Sequence, residues 1–120
     1  MSIPVEIPAL ADAIVRYGAS AFFLTTSDLG RAHVSHVGVS WQSDQLRVDL
    51  GRSGAHNVAA RPATVLLWPP TEPGGHSLIV DVVAVVVDDH ALLTPQRAVL
   101  HRSAPSPVPG VAGGNDCAPL

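Results

Sequence analysis

Leu10, Ala13, Ile14 and Tyr17 recur at i, i+3, i+4 and i+7, a spacing that gathers them on one face of a helix. Pro8 is tolerated in a first turn and Gly18 stands just past the last periodic position, so the pattern predicts an amphipathic helix over residues 8–17. The next stretches read as strands. Residues 21–26 are rich in aromatic and β-branched side chains and run into the turn signal Asp28-Leu29-Gly30; a second apolar stretch, 32–41, completes a β-hairpin. Within that second strand the apolar parity slips between Val34 and the set Val37, Val39 and Trp41, which predicts a bulge or burial on both faces. Ser43-Asp44-Gln45 then turns the chain into residues 46–50, where apolar and charged positions alternate as in a half-buried strand.

Ser53 precedes the segment 54–61 and Pro62 closes it, so a short helix capped by Ser53 is expected there. Residues 63–68 form a fourth strand stopped by Pro69-Pro70, and a fifth begins near His76 after a loop at 71–75. From 78 to 87 both faces are apolar, with Asp81 the exception. An antiparallel strand in a small protein normally wets one face, so this one belongs at the centre of a closed barrel, at a subunit interface, or both. Asp88-Asp89-His90 makes a turn before a short strand at 91–93. Thr94-Pro95 supplies an N-cap and an N1 proline for a helix reaching about His101. Residues 104–120, rich in proline and glycine, read as a mobile tail after a single domain at 1–103. Six strands joined largely by hairpins hide their edges best in a closed or partly open antiparallel β-barrel, so the expected class is mainly β with a few short helices.

Composition narrows the function. The 120 residues are 47% hydrophobic and 14% charged, enough to bury one core and too few for two. Seven Arg, no Lys and a net charge of -3 provide no basic field for nucleic acid. No apolar run approaches the roughly 20 residues that span a bilayer, and the first residues lack a signal-peptide pattern, so a cytoplasmic protein without membrane attachment is expected. Cys117, the single cysteine, forms no internal disulfide, and no residue spacing calls for a metal.

Candidate chemistry concentrates in Arg52-Ser53-Gly54-Ala55-His56-Asn57, where a strand ends and a short helix begins. A helix N-terminus offers free N–H donors and partial positive charge, Ser53 a hydroxyl, and Arg52 a bidentate cation, a set able to hold a phosphate monoester. The simpler account is that Ser53 caps the helix and Arg52 is solvated. His33 and His36, three apart on a strand, face opposite sides and share no metal. Asp81 suits a buried acid or a ligand rim, or, more simply, a partner for an arginine. No nucleophile elbow is present, which leaves hydrolase chemistry without support.

The order helix, hairpin, strand, then GRSGAHNVAARPATVLLWPP and HSLIVDVVAVVVDD resembles the small pyridoxamine 5'-phosphate oxidase-like proteins, the flavin-binding split β-barrels. TTSDLGRAHVSHV and TPQRAVLHR fit the same pattern, so the resemblance covers about residues 8–103. It implies a homodimer of six-stranded antiparallel split barrels that binds FMN, or alternatively the deazaflavin F420, in a groove between subunits. By the same resemblance Arg52, Ser53 and His56 would meet the cofactor phosphate and Asn57 would brace the strand-to-helix turn. His33 and Ser35, on the strand 33–37, would pass beneath the ring system, with Trp68 on the neighbouring strand. The implied activity is an oxidoreductase passing hydride through the cofactor to a small-molecule redox substrate, and the alternative is a non-catalytic dimeric carrier or sensor of a flavin or another ligand. The chain departs from the family at Val82, where members often carry glycine.

Overall fold

The computed structural model describes residues 2–103. The tail assigned to 104–120, with Cys117, lies outside the described residues. Seven strands and two helices follow one another as β1 (Ser2–Val5), α1 (Leu10–Tyr17), β2 (Ser20–Thr26), β3 (Ala32–Gln42), β4 (Gln45–Asp49), α2 (Arg52–Ala60), β5 (Ala63–Trp68), β6 (Ser77–Val87) and β7 (His90–His101). All pairings are antiparallel. The strand order β1-β7-β4-β3-β2-β5-β6 closes on itself through β6–β7, giving a six-stranded barrel with β1 attached outside the ring.

Alternation along the strands builds the core. Ala21 and Phe23 of β2, Val37 and Val39 of β3, Leu46 and Val48 of β4, Leu66 and Trp68 of β5, and every second residue of β6 from Leu78 to Ala84 are buried inside. α1 covers one end of the barrel with Leu10, Ala13 and Ile14, the face its periodicity marks. Pro8 sits in a single 3-10 turn, Ile7–Ala9, ahead of the helix, and Gly18 ends the helix at φ +103, its N–H bonded to Ile14 O at 2.8 Å. At φ +103 a Cβ is strained, which is why glycine follows Tyr17.

Four expectations need correction. The expected helix after Thr94 is absent: residues 94–101 continue β7. Local cap chemistry loses there to pairing on two sides, because Ala98–His101 bond to both β6 and β1. Pro95 is accommodated at the shift in register between Asp81 and Val82, where the ladder is interrupted and a missing N–H costs little. The bulge belongs to this β6–β7 pair and not to β3, whose register with β2 runs unbroken from Gly38 to Ala32. Val34 merely points outward, 56% exposed. Ser53 caps nothing: α2 starts two residues earlier than expected, at Arg52, with Gly51 as N-cap and no side-chain cap bond. Finally, β1 was not foreseen, because four residues interrupted by Pro4 carry no strand pattern of their own.

β6 is apolar on both faces but buried on one. Its outward Val83, Val85 and Val87 remain 39%, 57% and 37% exposed in the single chain. Asp81 also faces outward, opposite Arg97 and Val65, and among the described residues it belongs to no ion pair within 4 Å. Val82 is turned into the core at 2% exposure, so its bulk occupies barrel interior. Among the described residues no helix is long and apolar enough to cross a membrane.

Candidate phosphate-binding pocket

The β2–β3 turn and the first turns of α2 approach each other at one end of the barrel and enclose a pocket of about 500 Å³. The turn contributes Ser27, Asp28 and Leu29, β3 contributes His33, and α2 contributes Arg52, Ser53, His56 and Asn57. Five of the seven residues singled out from the sequence therefore meet in one cavity of the size that small-molecule sites occupy.

The structure does not bring the other two into it. Ser35 lies two residues further along β3 on the same inward face, half-buried. Trp68 is fully buried at the end of β5, a strand that neighbours β2 and not β3, and its indole N–H donates to Gly18 O at 2.9 Å. It joins the end of α1 to the barrel and is a core residue. His36 points outward and stacks on Phe22, ring centres 5.0 Å apart, on the face opposite His33.

Local geometry explains why the pocket holds its shape. Gly30 N–H and Arg31 N–H both return to Ser27, to its carbonyl at 2.8 Å and its hydroxyl at 3.2 Å, which folds the β2–β3 turn tightly. Asp28 then leans from the turn onto α2, where Oδ1 accepts from Arg61 Nη2 at 2.6 Å and Oδ2 lies 2.7 Å from His56 Nε2. Arg61 also donates from Nε to Thr26 O at 2.8 Å. Deeper in, Asn57 donates from Nδ2 to Thr25 Oγ1 at 3.0 Å, with both residues only 4% exposed. Asn57 thus fastens α2 to β2 rather than bracing the turn that precedes the helix. Asp28, which lines the pocket, and Arg61, which holds it, were not singled out from the sequence, because an Asp in a turn and an Arg before a proline are too common to mark them.

The electrostatics separate two kinds of cation. Arg61 first, and His56 second, hold the Asp28 carboxyl below the usual carboxylate range. Arg61 is thereby neutralised by its partner. Arg52 has no ion pair or hydrogen bond to another described residue and stands exposed at the first position of α2. The first bonded amide of that helix is Ala55, to Gly51 O at 3.0 Å, so the N–H groups of Arg52, Ser53 and Gly54 precede the helical ladder and are free to donate. His33 adds Nδ1, a buried atom without a hydrogen-bond partner among the described residues. A second concavity, of about 290 Å³, also contains an arginine, but Arg47 there is already paired with Asp49 at 3.5 Å.

An uncharacterized protein of Mycobacterium bovis and one of Mycobacterium tuberculosis are each 35% identical to this chain over a 132-residue alignment that covers 94% of it and 92% of the relative. The chain belongs to their family. No family model matches it. Among solved structures, a FAD-binding protein of Mesorhizobium loti superposes with TM-score 0.63 over 87% of this chain and 98% of its own, at 11% identity. A Listeria innocua protein assigned as a candidate pyridoxamine 5'-phosphate oxidase gives 0.62 over 79% and 98%, also at 11% identity. The haem storage protein HutZ of Vibrio cholerae gives 0.61 over 82% and 96%, at 13% identity. The family of this chain therefore has the fold of the pyridoxamine 5'-phosphate oxidase-like split barrels, as the sequence pattern suggests.

Proposed function

We propose that the chain binds a phosphate-bearing flavin, FMN, or the deazaflavin F420, in the pocket between the β2–β3 turn and α2, and acts as a cytoplasmic oxidoreductase on a small molecule. The observation that carries this reading is the unpaired Arg52 beside three undonated helix amides and the Ser53 hydroxyl, at the mouth of a cavity of about 500 Å³. Such a set fits a phosphate by charge and by hydrogen bonding together. The FAD-binding structural neighbour lends support by analogy of fold. Bound there, the flavin or deazaflavin would supply hydride transfer, while the protein orients it and excludes competing reactions.

The same reading takes the protein to be a homodimer. Outward valines of β6 leave an apolar strip that a second copy would cover, and a standard interface removes about 800 Å² from each partner. Light scattering at micromolar concentration is expected to give the dimer mass. The visible spectrum of the purified protein tests the cofactor: flavin or deazaflavin absorbance, or saturable titration by added FMN or F420, is expected. Failure of both to bind refutes it. With a cofactor bound, turnover of NAD(P)H or reduced F420 marks an enzyme, and its absence marks a carrier or sensor.

A further inference from the structure

The two ring nitrogens of His56 have different surroundings. Nε2 lies 2.7 Å from Asp28 Oδ2, whereas Nδ1 has no partner among the described residues, and the residue lines the pocket. An ionised carboxylate only accepts hydrogen bonds, so Nε2 must carry a proton in that contact. The neutral ring consequently presents a lone pair at Nδ1. Only a second proton converts Nδ1 into a donor. A phosphate dianion also only accepts: it meets the neutral ring as lone pair against lone pair and the imidazolium as an ion pair.

We propose that binding of a phosphate monoester at the start of α2 takes up a proton on His56, and that Asp28 is the positioning residue which fixes the tautomer making this necessary. The inference rests on the phosphate site proposed above. Asp28, from the β2–β3 turn, is shared with Arg61, whose Nη2 donates to it at 2.6 Å. Arg52 lies four residues earlier on the same face of α2, and His33 of β3 lines the same pocket. A bound dianion at the start of the helix favours positive charge on both Arg52 and His56. Asp28, held ionised by Arg61 and His56, stays an acceptor throughout the neutral range. The balanced step is protein plus dianion plus one proton from solvent, with no covalent bond made or broken apart from that N–H.

Calorimetric titration of the full chain with FMN, in two phosphate-free buffers of different ionisation enthalpy near pH 7.5, counts protons directly. Net uptake of a fraction of a proton per FMN is expected in wild type, and none in His56→Gln or when riboflavin, which lacks the phosphate, replaces FMN. Loss of one charge-assisted contact makes FMN binding by His56→Gln roughly tenfold weaker than wild type at pH 6.5, a deficit that shrinks to under about twofold at pH 8.5. Asp28→Asn, which can accept from Nε2 without an ionic charge, is expected to take up less proton per FMN. A purely structural role for Asp28 would leave the proton count alone. Equal uptake in wild type and His56→Gln overturns the inference, as does an uptake of zero in wild type while Arg52→Ala still weakens FMN. If Arg52→Ala binds FMN as tightly as wild type, the phosphate site falls and the inference falls with it.

Discussion

Removing the Asn57 amide tests whether α2, and with it the pocket wall, is held by one buried hydrogen bond. Asn57 Nδ2 donates to Thr25 Oγ1 at 3.0 Å, and both residues are 4% exposed, so water cannot readily replace either partner. Asn57→Ala loses the net value of the bond and leaves the Thr25 hydroxyl buried without its donor, together about 2 kcal/mol. In a domain of this size 1 kcal/mol corresponds to about 4–8 °C, so a fall in melting temperature of roughly 8–16 °C is expected. Thr25→Val orphans the amide instead and should cost a similar amount. The double variant Thr25→Val, Asn57→Leu, which removes both polar groups at nearly constant volume, should recover most of the loss, because matched apolar replacement is close to neutral. Thermal unfolding followed by circular dichroism measures all four proteins. Single variants within about 2 °C of wild type would show that water satisfies the orphaned groups and that the bond does not anchor α2.

Arg52→Ala should weaken FMN binding about tenfold to a hundredfold, the worth of a charge-assisted contact, whereas Arg16→Ala, on the exposed last turn of α1, should leave it unchanged; calorimetry compares them. Because Arg61 and His56 hold the folded-state carboxyl of Asp28 below its ordinary range, its ionised form favours the folded state at pH above that range, and the contribution is lost as pH falls through the lower folded value. The urea midpoints of wild type and Asp28→Asn should therefore differ at neutral pH and converge in strong acid; a gap that widens on acidification contradicts the sign. Val85→Asp places a charge on the outward face of β6, 57% exposed in the single chain, and should yield monomers by light scattering with an unchanged circular dichroism spectrum.

Most of the barrel was legible because inward and outward residues alternate strictly in β2, β4 and β5, and because turn residues punctuate the hairpins. β7 was misread for a physical reason. Thr94-Pro95 is sound helix-start chemistry, but strands pairing on both flanks of residues 98–101 outweigh a preference worth at most a few kcal/mol. β1 was illegible because its partner lies almost a hundred residues away and its own four residues carry no pattern. In the pocket, Arg52, Ser53, His56 and Asn57 were visible as one contiguous segment, and His33 through the family resemblance. Asp28 and Arg61 were not, since their meaning arises only when a turn and a helix end more than thirty residues apart are brought together. Trp68 was assigned by its strand alone, and only the parity of that strand with Leu66 reveals that it faces the core.

β7 is bonded to β6 along its length, to β4 with one half and to β1 with the other, and Ser2 stands opposite His101. Ring closure therefore waits for the last strand to emerge during synthesis. Until then β4 and β6 present unpaired edges to other nascent chains, and β1 has nothing to pair with. Contacts this distant in sequence incur their loop-closure entropy before any compensating pairing forms, which places the protein among slow, high-contact-order folders. Joining residues 2 and 101 through a short linker would turn the β1–β7 pairing into a local hairpin, but opening the chain at the 71–75 loop would send β5 and β6, now paired neighbours, to opposite ends of the chain. Such a permutant should keep the same barrel and fold no faster than the natural order.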